Sequence, residues 1–600
     1  MQQRSITSYQ SKVYILGAIV GVVSGFVAIG FRMLILGISI LFAIVPQTIG
    51  LLGWLLIPAF GGILVAFIVV NYAPEARGHG VPEIMDAYAR RGGRIRFRVP
   101  LLKSLASAIC IGSGGSCGRE GPIAQIGGGV GSFIAMKLKS DTRTTKTLVV
   151  CGVSSGIAAT FNTPLGGTLF GIEVIAGGLV GFSIIPVIIS SVISTAVVDT
   201  ILGSQPSFQA PLFVMSNYLE LVLYFMLGLL LGVASVIWTR GFYKVEDLFE
   251  KLRGPRLAIP AIGGFVVGIL AVIILMIENS VGYVGAFKPG EPYFPAIMGV
   301  GYAFIDASLL GTVSLVALAA FGIAKAFATS ATLGSGGSGG VFAPTLFIGA
   351  SLGGSFGLLF YTFFPTVVPE PMAYTLVGMA ALFAGSGRAP ITCIVIIMEM
   401  TNDYSLILPL MIAVSASFLV SSLIERESLY TLKLSRRGIN VRRGHYISAL
   451  REIRVDQVMT KNPTVLSPDM TTAEVLKIVD KTQHTKFPVV DKTGVVVGCL
   501  ITEDLFPENE DENKQYQVKD LMSTDFLHIG PDCTMDSVLR GMLERNEGHA
   551  VVVDPRVPNV MLGFVTKADV LRAYQIAIVR LQEAGEPVEA IDPLETIDIM

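Results

Sequence analysis

Charge is scarce in this chain. Only 15% of its 600 residues are Asp, Glu, Lys or Arg, against 52% apolar, and the scarcity is concentrated. No charged residue falls between Met33 and Asn71, between Val174 and Val198, or between Leu221 and Thr239. Each run can cross about 30 Å of hydrocarbon as a helix. The Met33–Asn71 run contains Pro46 and Pro58 and reads as two spans with a turn. Cysteine is sparse too. Six are present, with no CxxC spacing and no histidine pairing, so no metal or redox centre is indicated and small buried thiols are expected. Neither a nucleophile–base pair nor a Walker loop stands out, and the glycine-rich segments lack the strand–helix context of phosphate binding, so the chain does not read as an enzyme. The net charge of −1 averages two unlike halves and points to no nucleic acid or other charged partner.

What is present divides the chain in two. The first half is apolar, with a mean hydropathy of +0.66 for the whole chain; from about Arg451 onward, charges and turn residues reach the density of a soluble protein. The short polar lead MQQRSITSYQSK is followed by no cleavage site of small residues, so the first apolar run is expected to remain as an anchor. Arg90, Arg91, Arg94, Arg96, Arg98 and Lys103 form one basic cluster, and Lys433, Arg436, Arg437, Arg442, Arg443, Arg451 and Arg454 form another. Both should face the cytoplasm by the positive-inside tendency. That places the N-terminus and the polar C-terminal part there, in a multi-pass protein of the plasma (inner) membrane.

Residues 112–122 carry the strongest local signal: Gly-Ser-Gly-Gly-Ser-Cys-Gly-Arg-Glu-Gly-Pro. An ionisable pair, Arg119 and Glu120, within membrane-depth sequence marks a pathway. The glycines let backbone amides approach an ion, and Pro122 suits the first turn of a helix. A helix N-terminus offers unpaired N–H donors and partial positive charge, which is an anion site. Glu120 is therefore expected to act as a gate.

The first half also repeats. Pro164 to Glu173 and Pro390 to Glu399 are both nine residues apart, displaced by 226, and Pro122 and Pro344 are displaced by 222. Duplicated transporter halves with broken, Gly/Pro-interrupted helices meet at a midplane ion site. Four such breaks occur: Gly78-His79-Gly80-Val81-Pro82, Gly118–Pro122, Gly340-Val341-Phe342-Ala343-Pro344 and Gly385–Pro390.

At these residues the chain closely resembles the CLC family of chloride channels and proton/chloride antiporters, over roughly Val13 to Leu434. The resemblance implies an all-α polytopic membrane domain, 1–440, built as an inverted repeat (about 13–205 and 215–430) of broken, tilted helices. It implies a homodimer with one pore per subunit and chloride as ligand. It makes Glu120 the gating glutamate, which yields its place to chloride on protonation or displacement. The chloride site it implies comprises His79, Gly80, Gly118, Arg119, Glu120, Gly121, the amides of Val341 and Phe342, and the hydroxyl of Tyr430, with Arg119 tying the motif together.

Two positions depart from the family pattern. His79 stands where a serine is usual. A neutral imidazole can donate one N–H to an anion and a charged one attracts it more; equally, the ring could turn toward the cytoplasmic vestibule. Antiporters typically carry two tandem glutamates after the FN-P motif, and here the pair is Glu173-Val174. Val174 cannot carry a proton, which favours channel-like conduction. The alternative is a proton/chloride antiporter with a non-standard internal path, and a non-conducting anion receptor is a more distant class. Glu173, with its counterpart Glu399 in the repeat, reads as a packing or capping residue.

In the C-terminal part, VDQVMT (455–460) recurs as VKDLMS (518–523), displaced by 63. Phe487–Leu505 (FPVVDKTGVVVGCLITEDL) and His549–Leu571 (HAVVVDPRVPNVMLGFVTKADVL) are β-rich runs leading into helices. These resemble a tandem pair of α/β CBS domains, 455–510 and 518–580, after a basic linker, 441–454, and before a flexible tail, 581–600. The second copy has the Gly563, Thr566 and Asp569 pattern that holds an adenosine ribose in that family; in the first, the spacing is altered. Adenine-nucleotide binding and a purely structural module both stay open. Glu508–Glu512 reads as a solvated linker.

Overall fold

The computed structural model describes residues 2–178, 184–204, 207–208, 210–211, 213, 215, 217–252, 254–283, 290–437, 439, 450, 453–505, 516–545, 547–557 and 560–583, with side chains from residue 11. Arg442, Arg443, Arg451, most of the 441–454 linker, Glu508–Glu512 and the tail beyond 583 lie outside the described residues. The chain divides into two units, Met1–Val441 and Arg442–Met600.

The first unit is helical. Its first half holds α1 (Gln2–Ile49), α2 (Leu51–Asn71), α3 (Val81–Arg90), α4 (Arg98–Gly112), α5 (Glu120–Lys137), α6 (Thr142–Phe161), α7 (Pro164–Phe170) and α8 (Ile184–Leu202). Its second half holds α9 (Glu220–Glu250), α10 (Ala258–Val281), α11 (Tyr302–Leu309), α12 (Leu315–Gly334), α13 (Phe342–Phe363), α14 (Ala373–Gly387), α15 (Pro390–Thr401), α16 (Ile407–Ile424) and α17 (Thr431–Arg436). Among the described residues eight helices are long and apolar enough to cross a membrane. The expected turn in the Met33–Asn71 run falls at Gly50, which takes φ 61°. Pro46 and Pro58 sit inside α1 and α2 instead.

The duplication is visible in the packing. α5 lies along α6 as α13 lies along α14, α1 packs on α8 as α9 packs on α16, and α2 meets α10 across the halves. Small residues permit the close approaches. Gly17, Gly21 and Gly25 recur every four residues on α1, and a Cβ at Gly21 would stand 2.5 Å from the Ser190 carbonyl oxygen of α8. Such small-residue faces let membrane helices pack where apolar burial alone gives no preference over lipid. Ser190 and Ser194 in turn donate to the carbonyls of Cys151 and Ser155 on α6. The outer faces present large apolar side chains, among them Ile15, Phe26, Leu41, Val222 and Ile237, as lipid contact requires.

The second unit contains two small sheets. β1 (Lys486–Val490) pairs antiparallel with β2 (Val496–Ile501). β3 (His528–Ile529), β4 (His549–Val553) and β5 (Met561–Thr566) form a sheet in that order. Helices α18 (Val455–Val458), α19 (Thr472–Thr482), α20 (Val518–Leu521), α21 (Met535–Glu544) and α22 (Lys567–Glu583) complete it. The two copies interlock: the Thr460 amide donates to the Phe564 carbonyl, and the Cys499 amide donates to the Ser523 carbonyl. The leading segment of each repeat thus docks on the other repeat's sheet, so neither copy satisfies its backbone alone.

Candidate anion site

The glycine–proline breaks begin helices. Pro82, Pro122, Pro344 and Pro390 all lie in the first turn of α3, α5, α13 and α15, where a missing N–H costs nothing. Backbone pairing then brings three of the breaks together. Gly118 and Gly340 exchange both hydrogen bonds, at 2.7 and 2.6 Å, and the Gly78 amide donates to Gly337 while the Gly339 amide donates to Gly78. A Cβ at Gly121 would lie 2.1 Å from the His79 carbonyl oxygen, and one at Gly118 would lie 2.0 Å from Glu120 Oε2. At Gly121, backbone against backbone, only glycine fits, and at Gly118 a Cβ would displace the Glu120 carboxylate. Gly80, with φ 81°, leads into α3.

Glu120 is buried at the start of α5, and its carboxylate crosses to the second half. Oε2 accepts from the Ala343 amide at 3.4 Å, and Oε1 accepts from the Tyr302 hydroxyl at 2.5 Å. Ala343 is in the first turn of α13, where amides lack intrahelical acceptors. Val341 and Phe342 immediately precede it and are both buried. The Phe342 ring packs against Phe161 and Phe383, with ring centres 5.1 and 4.4 Å away. Arg119 donates to the Thr160 carbonyl and stands 5.2 Å from the Tyr302 ring centre; it braces the group that holds Glu120. Sequence reasoning missed Tyr302. The available signal was its place at the start of α11, a helix that occupies in the second half the position of α3 in the first.

Tyr430 is buried, with its ring centre 5.8 Å from that of His79 and 6.5 Å from that of Phe383. His79 is buried as well, and its Nε2 lies 3.4 Å from the Tyr243 hydroxyl. It is enclosed within the unit. Tyr243 was not singled out from sequence; one tyrosine among 17 carries no mark of its partner.

Glu173 lies apart from this group. It accepts from the Thr392 amide and hydroxyl at 2.8 and 2.5 Å and from the Ile391 amide at 3.4 Å, at the start of α15. Glu399 accepts from the Leu165 and Gly166 amides, at the start of α7. Each carboxylate caps the broken helix of the other half. Val174, next to Glu173, is buried among apolar neighbours. Lys103, grouped from sequence with the basic cluster of residues 90–103, does not sit in solvent. It is fully buried and donates to the carbonyls of Ala76 and Gly78 at 2.9 and 2.7 Å, which replace its hydration. In the second unit, the Thr566 amide and hydroxyl both donate to Asp569 Oδ2 at 2.9 Å, so this carboxylate caps the start of α22 with one oxygen.

Comparison with known proteins gives the family. The voltage gated chloride channel family model matches residues 61–422, and the CBS domain model matches 455–508 and 518–576. An H(+)/Cl(-) exchange transporter ClcA of Vibrio cholerae is 34% identical over 387 residues, covering 64% of this chain and 79% of that protein. A ClcB-like protein of Ralstonia nicotianae, whose name is that of a chloride channel protein, is 30% identical and covers 64% of this chain and 85% of its own length. Among solved structures, a slow cyanobacterial Cl-/H+ antiporter aligns with a TM-score of 0.60 at 25% identity, over 71% of this chain and 97% of that one. The chain is thus a member of the CLC family of anion-transporting membrane proteins, carrying a C-terminal tandem pair of CBS domains.

Proposed function

We propose that this protein exchanges chloride for protons across the membrane, with Glu120 as the group on which the two compete. One observation carries the reading: the Glu120 carboxylate occupies the amide end of α13, a seat suited to any small anion. A proton on that carboxylate removes its charge and weakens its hold on the Ala343 amide, and chloride can then take the place. A hydrogen bond to a charged group contributes about 1.5–3 kcal/mol. The ClcA relative is named as an exchanger and the cyanobacterial neighbour as an antiporter, which favours exchange over the channel mode that Val174 suggests. The channel remains the second reading, supported by that apolar side chain and by the name of the ClcB-like relative. On this reading two copies associate, each with its own pore, in the plasma (inner) membrane. The CBS pair faces the cytoplasm and regulates transport, with adenine nucleotide near Thr566 and Asp569 as its effector.

Liposomes loaded with chloride and given no initial pH difference test the proposal. Outward chloride flow should drive protons inward and build up a pH difference, and Glu120→Gln should abolish the proton movement while chloride still crosses. A reversal potential that follows chloride alone would establish the channel reading instead.

A further inference from the structure

His79 is the single histidine among residues 1–441, and its hydrogen bonding fixes where its proton lies. The Tyr243 hydroxyl donates its one proton to the Leu429 carbonyl at 2.7 Å, since a carbonyl can only accept. That leaves the hydroxyl a lone pair to offer His79 Nε2 at 3.4 Å, and only an N–H suits it. The neutral ring is therefore protonated at Nε2, and Nδ1 is a bare acceptor. Nδ1 is buried with no hydrogen-bond partner.

The charges around the ring come from four helices and the residue just beyond one of them. Lys103 of α4 donates to the Gly78 carbonyl next to it. Lys433 of α17 stands against Gly78, with its Nζ 3.8 Å from Glu246 of α9. Arg437, just beyond α17, pairs with Glu83 of α3 at 2.6 Å. Phe242, Tyr243 and Tyr430 supply the other faces. Three cations thus share two carboxylates, and neither carboxylate touches His79. A second proton on the ring has no protein counter-charge. An anion against Tyr430 would supply one.

We propose that His79 Nδ1 is the inner proton seat of the exchange cycle, filled as chloride settles beside Tyr430 and emptied as chloride leaves. The lone pair of Nδ1 accepts a proton from hydronium, which leaves as water, and the ring becomes a cation with an N–H on both nitrogens. Proton and anion then raise each other's affinity by the same factor. This gives the cycle an ionisable group where Val174 offers none. The inference deepens the exchange reading, but its test is one of binding and does not depend on the mode of transport.

The test uses the purified full chain with Glu120→Gln, which removes the other proton-linked group. Potassium chloride is titrated calorimetrically at constant ionic strength, in pairs of buffers with different ionisation heats, between about pH 5 and 8. Chloride binding should take up a substantial fraction of one proton, and affinity should weaken about tenfold across that range. In Glu120→Gln/His79→Gln, and independently in Glu120→Gln/His79→Ser, uptake and pH dependence should both vanish. Uptake that persists in either double variant overturns the proposal. So does an absence of uptake in Glu120→Gln alone, a result that needs no histidine variant to fold. Proton-coupled flux without such uptake would sink this inference and leave exchange standing; uptake in a protein that conducts chloride alone would do the reverse.

Discussion

The two halves of the membrane unit are copies in backbone and differ sharply in a few side chains. Lys103 donates to the carbonyls of Ala76 and Gly78, and Lys325, 222 residues on, donates to those of Ile297 and Gly299. Glu173 caps α15 and Glu399 caps α7. Where both halves keep a residue, it holds the chain's own backbone. At the breaks they diverge: Gly-Arg-Glu-Gly-Pro in the first half stands against Gly-Val-Phe-Ala-Pro in the second, so Glu120 corresponds to Phe342. His79 between Gly78 and Gly80 corresponds to Val300 between Gly299 and Gly301, and Tyr302 corresponds to Val81. One half supplies a carboxylate, the other supplies apolar-flanked amides and the Tyr302 hydroxyl, and the site needs both. The difference teaches that symmetry builds the scaffold and asymmetry makes the site.

Substitutions at matched positions can break this division. Lys103→Met and Lys325→Met should each remove two charged hydrogen bonds to buried carbonyls and destabilise the protein by about 3 kcal/mol, measured as loss of the folded fraction on thermal challenge in detergent. A large inequality between the two would mean that one lysine does more than hold backbone. Glu173→Gln and Glu399→Gln should come next, each losing about 1–2 kcal/mol of charged capping, with the ratio of protons to chloride unchanged in both. A collapse of coupling in Glu173→Gln alone would place that carboxylate on the proton path. The smallest effect is expected from Tyr302→Phe. Removing the donor to Glu120 Oε1 loosens the carboxylate's seat, and chloride turnover should rise several-fold, consistent with a hydrogen bond worth about 1 kcal/mol net. Unchanged turnover would show that Glu120 is held by α13 alone.

Much of this was legible from residue order. Charge-free runs marked the spans because hydrocarbon tolerates no bare charge or unpaired backbone, and proline with glycine marked where helices start. The matching offsets of 222 and 226 revealed the duplication before any packing was seen. Lys103 was misplaced because a lysine near arginines looks the same in sequence whether its ammonium meets water or two carbonyls. Tyr302 and Tyr243 were missed for a related reason: a phenol's role depends on which acceptor lies within about 3 Å, and both partners are far away in the chain. Tyr302 reaches back 182 residues to Glu120, and Tyr243 forward 186 to Leu429.

The sequence by itself determined the membrane class, the repeat, the tandem CBS module and the carboxylate at a helix start, because each rests on local composition or short spacing. The tertiary structure alone decided what that carboxylate touches and which tyrosine reaches the buried histidine. It also decided which glutamates serve as caps. Those facts depend on hydrogen bonds between segments some 160 to 240 residues apart, and a hydrogen bond exists only at the distance and angle that packing of the whole unit sets.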